Sequence, residues 1–102
     1  MTEREMIKIL NNYHKNKVYI NLSSLIRTIK NDKIQSKIYK VNRRYVKQIY
    51  GKRKAERVYE DMDNIEVRVM TKRLIYAYIF IPTSKEKEYI CVCKKIMLKA
   101  LT

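Results

Sequence analysis

IEVRVMTKRLIYAYIFIP, residues 65–82, is the stretch that decides how this chain folds. Ile65, Val67 and Val69 alternate with Glu66 and Arg68, the period of two expected of a half-buried strand. Thr71-Lys72-Arg73 supplies a turn, residues 74–81 return as a second strand, and Pro82 ends it because proline cannot donate to a ladder. The returning strand is apolar on both faces: Ile75, Ala77, Ile79 and Ile81 on one, Leu74, Tyr76, Tyr78 and Phe80 on the other. One helix layer covers only one face of a sheet. Either this is a central strand with helices on each side, or a second subunit or an extended peptide covers the aromatic face. The second alternative makes Tyr76, Tyr78 and Phe80 the candidate protein-binding residues. Side chains that bury ~150–250 Å² each would form a patch of interface size.

Downstream, Thr83-x-x-Glu86 is a capping-box pattern. Tyr89, Ile90, Cys93, Ile96, Met97, Ala100 and Leu101 then recur at helical spacing, with Lys94, Lys95 and Lys99 toward the C-terminal end. This predicts a final helix with Cys93 buried and Cys91 exposed. Upstream, Thr2-x-x-Glu5 caps a first helix carrying Met6, Ile7, Leu10 and Tyr13, and Val18-Tyr19-Ile20 reads as a strand. Residues 25–30 fit either a short helix or a bent strand. Ile34, Ser36 and Ile38 alternate as a strand should. Asn42 caps a helix with Tyr45, Val46, Ile49 and Tyr50 on its apolar face, and Gly51 to Lys54 breaks the phase.

The expected fold is therefore α+β in the order α-ββ-α-ββ-α, an antiparallel sheet with packed helices, in a single domain over residues 1–102. A 41-residue shift lays 24–42 on 65–83 without a gap, matching Arg27 with Arg68, Ile34 with Ile75 and Ile38 with Ile79. That suggests two similar half-motifs, with a groove between them as a further place for a peptide or strand.

Little in the chain spells out a reaction, and neither a catalytic residue, a metal site nor a cofactor is expected. The single glycine excludes glycine-rich phosphate loops, and two cysteines with one histidine cannot furnish a structural zinc site. His14 lacks a second histidine or an evident orienting partner and reads as a packed side chain. Asp63 with Glu66-x-Arg68 only faintly resembles the Asp…Glu-x-Lys of nuclease metal sites, and arginine departs from that pattern. The longest uncharged apolar run, 74–82, has nine residues, far short of the ~20 of a membrane helix. The charged start at Met1-Thr2-Glu3-Arg4-Glu5 has no apolar leader segment, and free thiols fit a reducing compartment, so an intracellular protein is expected.

Charge gives the rival to protein binding. Residues 27–57 hold twelve of the 24 basic residues and only Asp32 and Glu56 as acids, so they carry +10 of the formal +14. Charge so concentrated costs self-repulsion and normally faces something negative. Arg43, Arg44, Lys47, Lys52, Arg53, Lys54 and Arg57, interleaved with tyrosines, are the candidate nucleic-acid-binding residues. A winged-helix arrangement can be drawn, with 42–50 as recognition helix and 65–82 as wing, although 33–41 reads better as a strand. A lysine-rich solvated surface is the plainer alternative.

From MTEREMIKILNNYHKNKVYINL to KKIMLKALT, this short, glycine-poor chain rich in Ile, Lys and Tyr resembles the small proteins of filamentous viruses that infect hyperthermophilic archaea, those of Acidianus among them. The resemblance carries no functional motif, so no site residue transfers with it. It implies a viral protein made in the host cytoplasm, with a binding role rather than a metabolic one.

Overall fold

The computed structural model describes residues 1–30, 33–60, 63–83 and 87–100. The elements follow the chain as α1 (Glu3–Asn16), β1 (Ile20–Asn21), α2 (Leu22–Ile29), β2 (Ser36–Val41), α3 (Arg43–Tyr50), α4 (Lys52–Ala55), β3 (Asn64–Met70), β4 (Leu74–Pro82) and β5 (Glu88–Leu98). The fold is α+β: one antiparallel sheet of five strands in the order β1-β5-β4-β3-β2, with helices on both faces.

The hairpin of 65–82 is the heart of it. β3 and β4 pair from Ile65 opposite Phe80 to Met70 opposite Ile75, and β4 is the middle strand of the five. Both of its apolar faces are covered from within the chain. On one face Met6 and Leu10 of α1 and Leu25 and Ile29 of α2 pack with Ile65, Val67, Val69, Tyr78 and Phe80. On the other, Val46 and Tyr50 of α3 and Ala55 of α4 pack with Val41, Ala77 and Ile79. Of the two alternatives for this strand, the central one is the arrangement present.

Local signals account for the helix ends. The side chains of Thr2, Asn21 and Asn42 accept hydrogen bonds from the backbone N–H groups of Glu5, Ser23 and Tyr45, at 3.2, 2.9 and 2.9 Å. Gly51 ends α3 and starts α4 at φ 104°, ψ 156°, a conformation open almost only to glycine. The break in helical phase there is real: continuing α3 would have buried Arg53.

Four expectations are corrected. Residues 88–98 form a strand, not a helix, and β5 pairs along the free edge of β4. The misreading has a physical cause. Val92 is an extra residue at a β-bulge: Phe80 faces Cys91, while the neighbouring Ile79 faces Cys93. Side chains before the bulge therefore alternate out of phase with those after it, and this slip spaces the apolar residues as a helix would. It also sends Cys91 into the α1–α2 core and Cys93 into the α3–α4 core. Both thiols are buried, so the expected exposed Cys91 is not found and no route to an intermolecular bridge is open. The Glu86 end of the supposed capping box lies outside the described residues.

The duplication also fails. Residues 22–29 are helical, so 24–42 is a helix followed by a strand, whereas 65–83 contains a hairpin. The winged-helix drawing fails for a related reason: β2 stands between α2 and α3, and its supposed wing is the sheet centre.

Candidate nucleic-acid interface

The three aromatic residues read as a protein-binding patch belong to the core. Tyr78 and Phe80 have no exposed surface, and Tyr76 is half-buried against the same cluster. The Tyr78 hydroxyl donates to Oδ1 of Asn11 at 2.6 Å, which satisfies the polar tip inside α1. Burial, with Cys91 and Tyr76 nearby, pushes its phenol above the ordinary range. Tyr78 and Phe80 hold helices to the sheet and present no surface to a partner, and only part of the Tyr76 ring reaches solvent.

The seven basic candidates divide. Arg43 turns back onto its own fold, donating to the Val58 carbonyl at 2.8 Å and pairing with Glu60 at 3.1 Å. Arg44, Lys47 and Lys52 are exposed on the outer side of α3 and α4. Arg53, Lys54 and Arg57 converge with residues distant in the chain. They meet His14 at the end of α1 and Val92, Cys93 and Lys94 of β5 around a cleft of about 290 Å³. Lys17 adjoins it, donating to the Cys91 carbonyl at 3.3 Å, and Lys54 donates to the Lys94 carbonyl at 3.3 Å.

Among the described residues no acidic side chain lines this cleft, and Lys17, Arg53, Lys54, Arg57 and Lys94 stand in no ion pair. The crowding registers on the imidazole of His14. Burial lowers the pKa of His14, and Lys17, Lys94, Lys54 and Arg57 lower it further. A merely solvated basic surface would spread such charges apart. Sequence reading missed His14, Lys17 and Lys94 as members of this group, because they lie far from 27–57 and the helix expected over 83–101 placed Lys94 near its C-terminal end.

A second polar site lies beneath α3. Glu66 of β3, expected on the solvent side of an alternating strand, is 1 % exposed. Its Oε2 accepts from the Tyr50 hydroxyl at 2.7 Å, the Tyr45 hydroxyl lies 2.9 Å from both oxygens, and Nε of Arg68 donates to Oε1 at 2.5 Å. Arg68 also donates to the Tyr45 hydroxyl, and its guanidinium sits 5.6 Å from the centre of the Tyr39 ring. Burial opposes the Arg68 charge, yet Glu66 and Tyr45 outweigh it and hold the proton more tightly than usual. Burial and the hydrogen bonds to Glu66 push the phenols of Tyr45 and Tyr50 upward. Glu66 is a buried carboxylate held by three donors. No group of three His, Cys, Asp or Glu among the described residues is placed to hold a metal.

No protein family, curated protein or solved structure matches the chain. What it does must be argued from its own surfaces. No helix among the described residues is long and apolar enough to cross a membrane.

Proposed function

We propose that the protein binds nucleic acid through the cationic cleft between α1, α4 and the edge of β5. The observation that carries this reading is the convergence of His14, Lys17, Arg53, Lys54, Arg57 and Lys94 on one concavity lined by no acid among the described residues. A concave cluster of one sign focuses its field on an anion more strongly than the same charges spread over a convex surface. Exposed Arg44, Lys47 and Lys52 extend the positive surface along the neighbouring helices, which suits a polymer of phosphates better than a single small anion. The role is one of binding rather than catalysis. By its resemblance to filamentous-virus proteins, the chain would meet this partner in the cytoplasm of an archaeal host. Anisotropy titration of a labelled oligonucleotide at low salt tests the proposal. Saturable binding is expected, and its absence would end it.

A protein partner is the second reading, and one observation favours it. β1 pairs only with Glu88 and Tyr89, so the outer edge of β5 over residues 90–98 has no strand beside it among the described residues. Ile96 and Leu98 are 50 % and 82 % exposed there. An extended peptide, or the same edge of a second copy, could add to the sheet by main-chain hydrogen bonds. Such binding would respond little to salt, unlike that of a phosphate backbone. Size-exclusion chromatography across a concentration range tests the second-copy form, and a monomer throughout would remove it.

A further inference from the structure

We propose that the pocket between β2, β3 and the start of α3 takes one unstacked base of a single-stranded nucleic acid, a proposal that rests on the cleft being a nucleic-acid site. The pocket has a volume of about 410 Å³, and its lining includes Tyr39, Lys40, Asn42, Tyr45, Glu66 and Arg68. That is the lower part of the range for ligand sites, room for one ring system with its substituents.

The walls fit a base better than a free anion. Tyr39 and Tyr45 contribute ring surface; Arg68 lies over one face of the Tyr39 ring, which is 42 % exposed, and a base would stack on its other face. The floor is held rigid, because Glu66 fixes Tyr45 and Arg68 while Tyr50 fixes Glu66 from behind. These bonds engage the Glu66 carboxylate, and Arg68 offsets its charge, so little remains to repel a phosphate. Arg68 uses Nε and Nη2 in them and keeps Nη1 as a donor for the carbonyl edge of a base. Lys40, exposed at the mouth, is placed for the adjoining phosphate.

The pocket also lies on a path from the cleft. Its wall belongs to α3 and the cleft's wall to the following α4, with exposed Arg44, Lys47 and Lys52 on those helices. Three strand spacings separate β2 from β5, roughly 14 Å. A duplex cannot use such a pocket without breaking its own stack, whereas a single strand can turn a base outward.

The test compares three probes of equal length at one salt concentration: oligothymidylate, the same backbone without bases, and a duplex. Wild type should bind oligothymidylate more tightly than the abasic strand by roughly 5- to 100-fold, the worth of one stacked base. Tyr39→Ala should bind both single strands alike, near the abasic level, and Tyr39→Phe should keep the preference. Equal wild-type affinity for thymidylate and abasic strands would overturn the pocket while leaving the cleft standing, and this comparison needs no variant to fold. Binding of none of the three probes would overturn cleft and pocket together. Tighter binding of duplex than of single strand would overturn the pocket alone.

Discussion

The Tyr50 hydroxyl donates a 2.7 Å hydrogen bond to Oε2 of Glu66, tying α3 to a carboxylate on β3 that solvent scarcely reaches. The bond answers a problem set by the fold: α3 covers the face of β3 on which alternation places Glu66, so the carboxylate needs donors from the helix itself. A buried charge left without them would cost several kcal/mol. Glu66→Gln keeps the shape but exchanges one charged acceptor for an amide and releases Arg68. It should lower unfolding free energy by about 1.5–3 kcal/mol in denaturant titration. A variant as stable as wild type would show that the network contributes nothing net.

Gly51→Ala tests the joint between α3 and α4. A Cβ there would meet no atom within 4 Å, so the penalty is conformational alone. At φ 104° it should cost on the order of 1–3 kcal/mol, read as a lowered melting temperature. Stability within a few tenths of a kcal/mol of wild type would mean the backbone relaxes, taking Arg53, Lys54 and Arg57 with it.

Alkaline pH should unfold the protein. Burial pushes the Cys91 thiol up to about 12, and it pushes the phenols of Tyr50 and Tyr78 above their ordinary value of 10. Groups whose folded pKa is raised add stability that is complete below the unfolded value and fades above it. Stability should therefore begin to fall above pH 9 as Cys91 becomes able to ionise in the unfolded chain, and faster above pH 10. The same burial predicts that neither cysteine reacts with Ellman's reagent in the native state at pH 8, and that both react in denaturant. Rapid native labelling of Cys91 would contradict its place in the core.

His14 reports on the cleft. Burial and four neighbouring cations lower its pKa and so favour the neutral imidazole. With a depressed folded pKa, its contribution to stability is present above pH 6.5 and lost as pH falls through the folded value. A bound polyanion would screen those cations and raise the pKa again. Imidazole resonances followed by NMR should titrate below 6.5 in the free protein and at higher pH with oligonucleotide. An identical titration in both states would place the nucleic acid elsewhere.

Much of the fold was legible because its signals are local. Alternation in 65–69, the turn at 71–73, the caps at Thr2 and Asn42 and the glycine at 51 each act within a few residues. The two-faced apolar character of 74–82 correctly demanded cover on both sides, though not from which chain it came. β5 was hidden because the bulge at Val92 shifts its alternation by one residue, so the residues of one face no longer share one parity. Glu66 was hidden because a charged residue in an alternating strand ordinarily faces water, and its tyrosine donors lie 16 and 21 residues away. The basic window contributed Arg53, Lys54 and Arg57 to the cleft. His14, Lys17 and Lys94 joined it only through the placement of α1 against β5.

The salt dependence of single-strand binding, measured on wild type and on an Arg53→Ala, Arg57→Ala double variant, tests the cationic cleft most directly. Plotted as log affinity against log salt, each phosphate neutralised adds about 0.7 to the steepness on a single strand. If both arginines engage phosphates, the variant should bind more weakly at every salt concentration, with a slope shallower by roughly 1.4. A variant with the wild-type slope and affinity would contradict the cleft as the site where nucleic acid is held.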